Sequence, residues 1–309
     1  MGRLLVKTAD MPREEWLSWR RKGIGGSDAS TICGFNPYSS LISLYADKMG
    51  LLPDKEDSEA MRIGRDLEDY VAKRFCEKKN KKVRRRNAMF CHDKYEFITA
   101  NVDREIVGEN AGLECKTTSA MTKCDFENEE IPLNYLCQCR HYMNVMGYDR
   151  MYLAVLVLGR GFYVYTIEYD KAEGDALLEL EIDFWQTYIV ANRCPDPDGS
   201  ESSINAVNAI HGQGKNEEAM LSDFTMIGKY LELCEKVKSL EKEKEIAKQH
   251  ILTELNGAVS GYTREYIVCN PVIESKRVNT DKLKRDFPDV YNAVSKLTTS
   301  TRFTVKERK

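Results

Sequence analysis

The sequence lacks several features, and each absence excludes a class of protein. It has no run of about 18 apolar residues, so we expect no membrane-spanning helix, and it begins without a signal-peptide pattern. None of its 10 cysteines forms a C-x-x-C pair. This argues against an iron–sulfur cluster or a disulfide framework and favours reduced, partly buried thiols. We therefore expect a cytoplasmic protein, whose 309 residues suffice for one large domain with an appendage.

A hairpin of charged strands is the most informative feature of the chain. Apolar and charged residues alternate on both sides of a glycine turn at 108–110, as they do in β-hairpins. If the turn has two residues, Asp103 lies directly opposite Glu114, with β-carbons about 4.5–5.5 Å apart. Glu114 and Lys116 then share one face of the sheet. A register slip of one residue would place the two acids on opposite faces.

Two convergent carboxylates beside a lysine suit magnesium chemistry. Mg²⁺ is usually held by one or two carboxylates together with waters and substrate phosphate oxygens. It polarises a phosphodiester and helps to generate hydroxide from water. A neighbouring lysine can orient the attacking water or stabilise the developing negative charge. An exposed hairpin with a cross-strand ion pair has the same pattern, so other segments must decide between the two interpretations.

A helix predicted over 58–79 contributes a third acid. Its apolar stripe has helical spacing and consists of Met61, Gly64, Val71, Ala72 and Phe75. Glu68 falls on this stripe. Because an unpaired buried carboxylate is costly, Glu68 requires either a buried arginine partner or a metal site. The hairpin favours the metal site.

A second predicted helix, over 132–147, carries two polar residues on one face. Gln138 and Tyr142 stand four residues apart, which makes them neighbours on a helix surface. An amide and a phenol can bond phosphate oxygens or a metal-bound water. A polar pair at the edge of the core fits the same spacing.

A glycine-rich turn near the amino terminus is a candidate anion site. Ser27 follows the glycines of 23–26 and is the expected N-cap of a short helix. Free amides at a helix start bind anions, and Arg20 or Arg21 would add positive charge. Asp28, in the first turn of this helix, would oppose a phosphate.

The order and spacing of these motifs resemble the YqaJ-like viral recombinase family. That family belongs with lambda exonuclease in the restriction-endonuclease-like, or PD-(D/E)xK, group of nucleases. The resemblance covers about the first two-thirds of the chain. The motifs that carry it are Trp16 with Arg20, the run Ile24 to Asp28, Gly64 with Glu68, Asn101-Val102-Asp103, Leu113-Glu114-Cys115-Lys116 and Gln138-x-x-x-Tyr142. Val102 departs from the proline of some relatives, but proline is not a metal ligand.

The resemblance implies a metal-dependent DNA exonuclease. Members of the family digest duplex DNA from an end, typically 5′ to 3′, beside a single-strand annealing protein in phage or prophage recombination. Lambda-type relatives form trimeric rings, so the resemblance implies a homo-oligomer as well. The same metal site would serve a structure-dependent or restriction-like endonuclease equally well. A catalytically silent DNA-binding module is the alternative from another class.

The resemblance also assigns roles at the metal site. Asp103, Glu114 and the backbone carbonyl of Cys115 would bind Mg²⁺ or Mn²⁺. Lys116 would be the catalytic lysine, and Glu68 would border the metal site.

Five residues would contact DNA. By the resemblance, Arg20 and Ser27 would bind the phosphate at a DNA end, and Gln138 would lie near the scissile phosphate. Arg21 and Tyr142 complete the set, because each shares a segment with one of these residues.

The net charge of -3 does not exclude a DNA enzyme, since a local basic surface governs phosphate contact. Such a surface is predicted for the basic stretch 78–86. Its side chains would line the DNA path and contact the backbone without sequence choice. A solvated helix end followed by a loop is the alternative.

The predicted fold is α/β, in the α+β sense: a restriction-endonuclease-like mixed sheet flanked by helices, over residues 1–194. Helices are predicted over 12–22, 27–33, 39–50, 58–79, 132–147 and 172–192. Strands are predicted over 89–91, 97–107, 112–117, 151–158 and 162–169.

A polar, glycine-containing linker is predicted over 195–215, and a helical and α+β extension over 216–309. In the extension, apolar residues with alternating three- and four-residue spacing predict a long helix: Leu233, Val237, Leu240, Ala247, Ile251 and Leu255, with Lys244 interrupting. A coiled coil and a helix packed on its own domain are equally consistent with this spacing. Strands over 262–269 and 302–306 surround a helix predicted over 280–296.

Overall fold

The structure, a computed structural model, describes residues 2–53, 57–119, 121, 126–128, 130–212, 218–221, 224–298 and 302–306. The chain forms two compact units, Met1–Gln213 and Gly214–Lys309. The first unit contains, in chain order, β1 (Arg3–Lys7), α1 (Arg13–Arg21), α2 (Gly26–Ile32), α3 (Leu41–Lys48), α4 (Glu59–Lys79), β2 (Val83–Arg84), β3 (Ala88–Cys91), β4 (Thr99–Ala100), β5 (Arg104–Ile106), β6 (Ala111–Thr118), α5 (Leu133–Met146), β7 (Arg150–Val157), β8 (Gly161–Glu168), α6 (Lys171–Phe184) and α7 (Glu201–His211).

A five-stranded sheet with the order β2-β5-β6-β7-β8 is the centre of the first unit. Strands β6 and β7 run parallel, whereas the other neighbours are antiparallel. Strand β7 is buried on both faces, with five consecutive buried residues from Met151 to Val155, as expected of a central strand. The predicted mixed sheet flanked by helices is confirmed.

Helices cover both faces of this sheet. On one face, Val71, Ala72 and Phe75 of α4 pack against a cluster that includes Leu113 and Tyr152. On the other face, α5 contributes Cys139, Met143, Val145 and Met146 to the largest core cluster. Met61, predicted to lie on the apolar stripe of α4, is 45% exposed, because it lies in the first turn of the helix, before the part that reaches the sheet.

The strand predicted over 97–107 is divided between two sheets. Strand β4 pairs with β3 in a small sheet of order β1-β3-β4, whereas β5 belongs to the central sheet. Between them, the side chain of Asp103 accepts a hydrogen bond from the backbone amide of Cys115 at 2.8 Å. A carboxylate therefore occupies a position that a backbone carbonyl holds in a regular ladder, and this places an acid at the end of β5.

The predicted linker over 195–215 contains a helix instead. Ser200 caps α7 by accepting a hydrogen bond from the Ser203 backbone amide. Ala206 of α7 is fully buried beside Ile42 and Ala46 of α3. The proline-rich and glycine-containing run after Cys194 is therefore a connection between packed helices, and the first unit extends to Gln213.

The second unit contains α8 (Thr225–Leu255), β9 (Ser260–Tyr262), β10 (Ile267–Cys269), α9 (Thr280–Asp286) and α10 (Pro288–Val294). The predicted long helix is confirmed, and β9 and β10 form an antiparallel hairpin. The helix predicted over 280–296 is interrupted at Phe287, since Pro288 has no amide to continue it. The prediction of a strand over 302–306 was wrong, because these residues have no regular secondary structure. Within the described ranges, no helix is long and apolar enough to cross a membrane.

Candidate functional site

The hairpin of β5 and β6 has the predicted register. Arg104 lies opposite Leu113 and Glu105 lies opposite Gly112. The same register, continued by one residue, sets Asp103 opposite Glu114. Both acids therefore face the same side of the sheet, as the two-residue turn requires.

Glu114 is the most constrained acid of this pair. Lys116 Nζ lies 2.6 Å from Glu114 Oε1, and Gln138 Nε2 donates to the same oxygen at 2.7 Å. Gln138 Nε2 also donates to the hydroxyl of Tyr142 at 3.0 Å. The other oxygen, Glu114 Oε2, is buried and has no hydrogen-bond partner among the described residues. An unpaired buried carboxylate oxygen is costly unless a cation compensates it.

Burial and mutual repulsion shape the electrostatics of these groups. Burial, followed by repulsion from Glu114 and Glu68, raises the pKa of Asp103 well above its ordinary value. Burial raises the pKa of Glu114 as well, although Lys116 opposes the shift. Burial alone would lower the pKa of Lys116, but the adjacent Glu114 and Asp103 raise it above its ordinary value. Asp103 is thus the less compensated of the two acids, whereas Lys116 is held in its cationic form.

The donor set fits a hard divalent cation. The described part of the chain contains no group of three or more His, Cys, Asp or Glu side chains that could hold a metal ion. Mg²⁺ needs only one or two carboxylates, because waters and substrate oxygens complete its shell. Asp103 and Glu114, with the unpaired Oε2, supply that number. A thiolate- or imidazole-based site for a softer metal does not match these residues.

Glu68 has an arginine partner, the other possibility that the sequence left open. Arg104 NH1 donates to Glu68 Oε1 at 2.5 Å and to the backbone carbonyl of Asp103 at 2.7 Å. Its NH2 donates to Asp69 at 2.6 Å. Arg104 is only 4% exposed and ties α4 to β5, which Asp103 directly precedes. Glu68 remains close enough to raise the pKa of Asp103, so it borders the acids without lining the same cleft.

The glycine-rich turn presents Arg20 and Ser27 together. Arg20 NH2 donates to Ser27 Oγ at 2.8 Å, and its guanidinium lies 4.8 Å from the centre of the Trp16 ring. The predicted N-cap was wrong. Gly25, and not Ser27, is the N-cap residue of α2. The side chain of Asp28, in the first turn of the helix, accepts a hydrogen bond from the Gly25 amide at 2.9 Å.

Asp28 is neutralised by a buried lysine. Lys48 Nζ lies 2.6 Å from Asp28 Oδ2, and the Lys48 side chain is only 1% exposed. Burial alone would raise the pKa of Asp28, but Lys48 and Arg20 lower it below its ordinary value. The charge that was expected to oppose a phosphate is therefore compensated from within the fold.

These segments meet in one cleft of about 260 Å³. Seven predicted site residues line it: Arg20, Ser27, Asp103, Glu114, Lys116, Gln138 and Tyr142. Gly26 permits this assembly, since a β-carbon there would lie 2.7 Å from Tyr142 Cε1 and 2.8 Å from Gln138 Cγ. The glycine lets α2 approach α5 closely.

Three predicted residues, Arg21, Glu68 and Cys115, do not line the cleft, and others that do line it were missed. Arg21 does not line the cleft, and its Nε lies 3.9 Å from Asp47 of α3. Thr99 and Met89 line the cleft without having been singled out, because the pattern of a strand gives no sign of which residues border a site. A larger cleft of about 550 Å³ lies between the start of α3 and the start of α7, and its described lining contains no lysine, arginine or histidine.

Comparison with known proteins identifies the family. Residues 15–149 match the family model described as the YqaJ-like viral recombinase domain. The protein YqaJ of Bacillus subtilis (strain 168) is 41% identical over 310 residues, which cover 98% of this chain and 97% of that protein. The chain belongs to the YqaJ family.

Two solved structures resemble this YqaJ-family chain more distantly. The alkaline exonuclease LHK-Exo from Laribacter hongkongensis is 17% identical, with a TM-score of 0.42 over 58% of this chain and 98% of that one. A phage-related exonuclease from Haemophilus somnus 129PT is 11% identical, with a TM-score of 0.43 over 55% of this chain and 96% of that one.

The basic stretch of this YqaJ-family chain is largely paired with acids. Lys81 pairs with Glu109, and Arg85 pairs with Asp69. Arg84 and Arg86 both pair with Glu105. Internal acids thus offset much of the positive charge predicted for 78–86, and a role in lining the DNA path stays a prediction.

Proposed function

We propose that this chain is a divalent-metal-dependent deoxyribonuclease that digests duplex DNA from an end, with 5′ to 3′ polarity, in phage or prophage recombination. The observation that carries the proposal is Glu114 Oε2, which is buried and has no hydrogen-bond partner in the described ranges, in a cleft that also holds Asp103, Lys116 and Arg20. This cleft offers anionic ligands to a metal beside cationic contacts for a phosphate. A single-strand annealing protein is the expected partner.

Asp103, Glu114 and the backbone carbonyl of Cys115 are the groups that would hold Mg²⁺ or Mn²⁺. When bound, such an ion supplies polarisation of the phosphodiester and lowers the pKa of bound water. Gln138 orients Glu114 by holding Oε1, which leaves Oε2 available to an ion. Because the Glu114 carboxylate is already oriented before an ion binds, less free energy is lost in ordering it when the ion binds.

Lys116 acts as a cation in this proposal. The carboxylates of Glu114 and Asp103 raise its pKa, so the ammonium keeps its protons and can donate to a phosphate oxygen as negative charge develops. Tyr142 supplies a second donor, since burial, Glu114 and Asp103 raise the pKa of its phenol well above the ordinary value. Its oxygen accepts from Gln138, which leaves the hydroxyl hydrogen for a substrate.

Arg20 and Ser27 would bind the phosphate at the DNA end. Their side chains already contact each other, and a guanidinium can engage a phosphate through two parallel hydrogen bonds. Because Lys48 neutralises Asp28, the local charge around Arg20 favours an anion. An end-binding group beside the metal ligands supports an exonuclease over an enzyme that cuts within a strand.

Digestion of a linear duplex beside a covalently closed circle tests the activity. We expect Mg²⁺-dependent loss of the linear DNA and sparing of the circle. Lys116→Met should lower the rate about 10²–10³-fold and leave DNA binding intact. Lys171→Met, on the exposed surface of α6, should leave the rate unchanged. Cleavage of the circle would favour the endonuclease, and absence of cleavage by the unaltered chain would favour the silent DNA-binding module.

End recognition is tested with linear duplexes that carry either a phosphate or a hydroxyl at the 5′ terminus. Faster digestion of the phosphorylated end is expected, and Arg20→Ala should remove most of the difference. Arg150→Ala, at an exposed ion pair with Glu168, is the matched control. Degradation from the 3′ terminus, followed with end-labelled strands, would contradict the proposed polarity.

A further inference from the structure

Helix α8 exposes an apolar face along most of its length. None of its residues is buried, and Leu233, Val237, Leu240 and Ile251 are exposed by 48%, 53%, 62% and 45%. Within the second unit, Phe303 contacts Tyr230 near the start of the helix. Residues of such a face are normally covered, because helix stability in water comes chiefly from packing of the apolar side.

The spacing of the exposed residues is that of a coiled-coil heptad. Its d positions are Met226, Leu233, Leu240 and Ala247, and its a positions are Tyr230, Val237, Lys244 and Ile251. The repeat of 3.5 residues keeps one face toward a partner helix over four heptads. Leu231 and Ile246, which are exposed by 43% and 46%, lie off this face at b and c positions.

We propose that α8 pairs with α8 of a second copy of this chain as a parallel, in-register, two-stranded coiled coil, an assembly that differs from the trimeric ring of the lambda-type relatives. Val237 and Ile251 are β-branched residues at a positions, and Leu233 and Leu240 occupy d positions. This combination favours two strands over three. Lys244 at a single a position fixes the register and number of strands at some cost in stability.

Charges beside the apolar face support this choice of partner. In a parallel pair, each g position meets the e position five residues later in the other helix. Lys236 would then meet Glu241 of the second copy, and Glu243 would meet Lys248, so four contacts between the helices are attractive. Lys236 now pairs with Glu232 of its own helix, but both side chains are more than 60% exposed, so exchanging that partner costs little.

The molar mass of the full chain in solution, measured by light scattering during gel filtration, tests the pairing. We expect twice the chain mass for the unaltered protein and the single-chain mass for Leu233→Asp/Leu240→Asp. The matched control Leu231→Asp/Ile246→Asp places the same charges off the face and should keep the double mass. Circular dichroism and thermal unfolding of each variant verify that it is folded.

Charge variants test the orientation without altering the apolar face. Lys236→Glu/Glu243→Lys makes the four parallel contacts repulsive and should weaken the dimer about tenfold or more. Adding Glu241→Lys/Lys248→Glu restores opposite charges and should restore the affinity. In an antiparallel pair Lys236 would meet Glu243, so the first variant would keep its affinity, and that result would overturn the proposed orientation.

A single-chain or triple mass for the unaltered protein would overturn the pairing itself, and neither outcome bears on nuclease activity.

Discussion

Gln138 holds one oxygen of Glu114 and leaves the other without a partner. The amide nitrogen donates to Oε1 at 2.7 Å, whereas Oε2 is buried and unpaired among the described residues. The contact joins helix α5 to strand β6 and thus fixes the orientation of a candidate metal ligand.

Gln138→Ala should therefore weaken metal binding more than folding. Removal of a group that orients a ligand typically lowers metal affinity or activity 10–100-fold, and we expect a change of that size. The measurement is DNA cleavage as a function of Mn²⁺ concentration, with Gln186→Ala, an exposed residue of the first unit, as control. A variant that reached the normal rate at the normal Mn²⁺ concentration would contradict the orienting role.

Asp103→Asn should stabilise the metal-free protein while abolishing cleavage. Because folding raises the pKa of Asp103, the folded state binds more protons, and stability falls as the pH rises through the folded-state pKa. Removing the charge should raise Tm near neutral pH by roughly 2–4 °C, or about 1 kcal/mol. The side-chain oxygen of asparagine at position 103 can still accept the hydrogen bond from the Cys115 backbone amide.

Calorimetry with and without Mn²⁺ checks this prediction. Mn²⁺ should raise the Tm of the unaltered protein by mass action but not that of the variant. Asp175→Asn, at an exposed ion pair with Lys171, should respond to Mn²⁺ as the unaltered protein does. A lower metal-free Tm for Asp103→Asn would show that this carboxylate stabilises the fold.

His141 should make stability depend on pH. Its Nε2 lies 2.7 Å from the Thr99 carbonyl, and its Nδ1 lies 2.6 Å from Glu181 Oε1, with both side chains fully buried. Burial alone would lower the pKa of His141, but Glu181 and the Thr99 carbonyl raise it. The resulting stabilisation is complete below an unfolded-state pKa of about 6.5 and is lost as the pH rises through the folded-state pKa.

Comparison with His141→Gln isolates this contribution. The variant should be less stable by about 3–5 kcal/mol, since Glu181 loses its partner in the core, and the difference in Tm should shrink as the pH rises from about 6 to 9. Thermal unfolding across that range is the measurement. A constant difference would mean that the pair does not titrate there.

Gly26→Ala should reduce both stability and cleavage. The added methyl would overlap Tyr142 and Gln138, which forces α2 away from α5 and costs about 1–3 kcal/mol. Gly64→Ala is the matched control, because a β-carbon there meets no atom of the described residues within 4 Å. Because Gly64 lies inside α4, alanine there should stabilise by about 0.5–1 kcal/mol. Equal effects of the two substitutions in urea unfolding would contradict the close-packing argument.

The sequence predicted the elements whose causes are local. The register of Asp103 opposite Glu114 follows from a two-residue turn and the alternation of the strands, and it agrees with the observed pairing of Arg104 with Leu113. The helix that carries Gln138 and Tyr142 follows from apolar spacing. Interactions within a few residues decide such features, so they can be derived before the fold is known.

Long-range packing decided the features that the sequence left open or predicted wrongly. Whether Glu68 faces an arginine or a metal depends on the distance between α4 and β5, and Arg104 proved to be its partner. The helix at 201–211 escaped prediction because its apolar residues gain stability only against α3.

The same distinction between local and long-range causes applies to the candidate site. The sequence determined which residues could bind a metal or a phosphate, because that depends on their chemistry and local spacing. Only the tertiary structure decided that Arg20 and Ser27 lie beside Asp103 and Glu114 in one cleft, whereas Arg21 faces α3. The approach of α2 to α5 at Gly26 is a contact between distant segments, and no local pattern encodes its geometry.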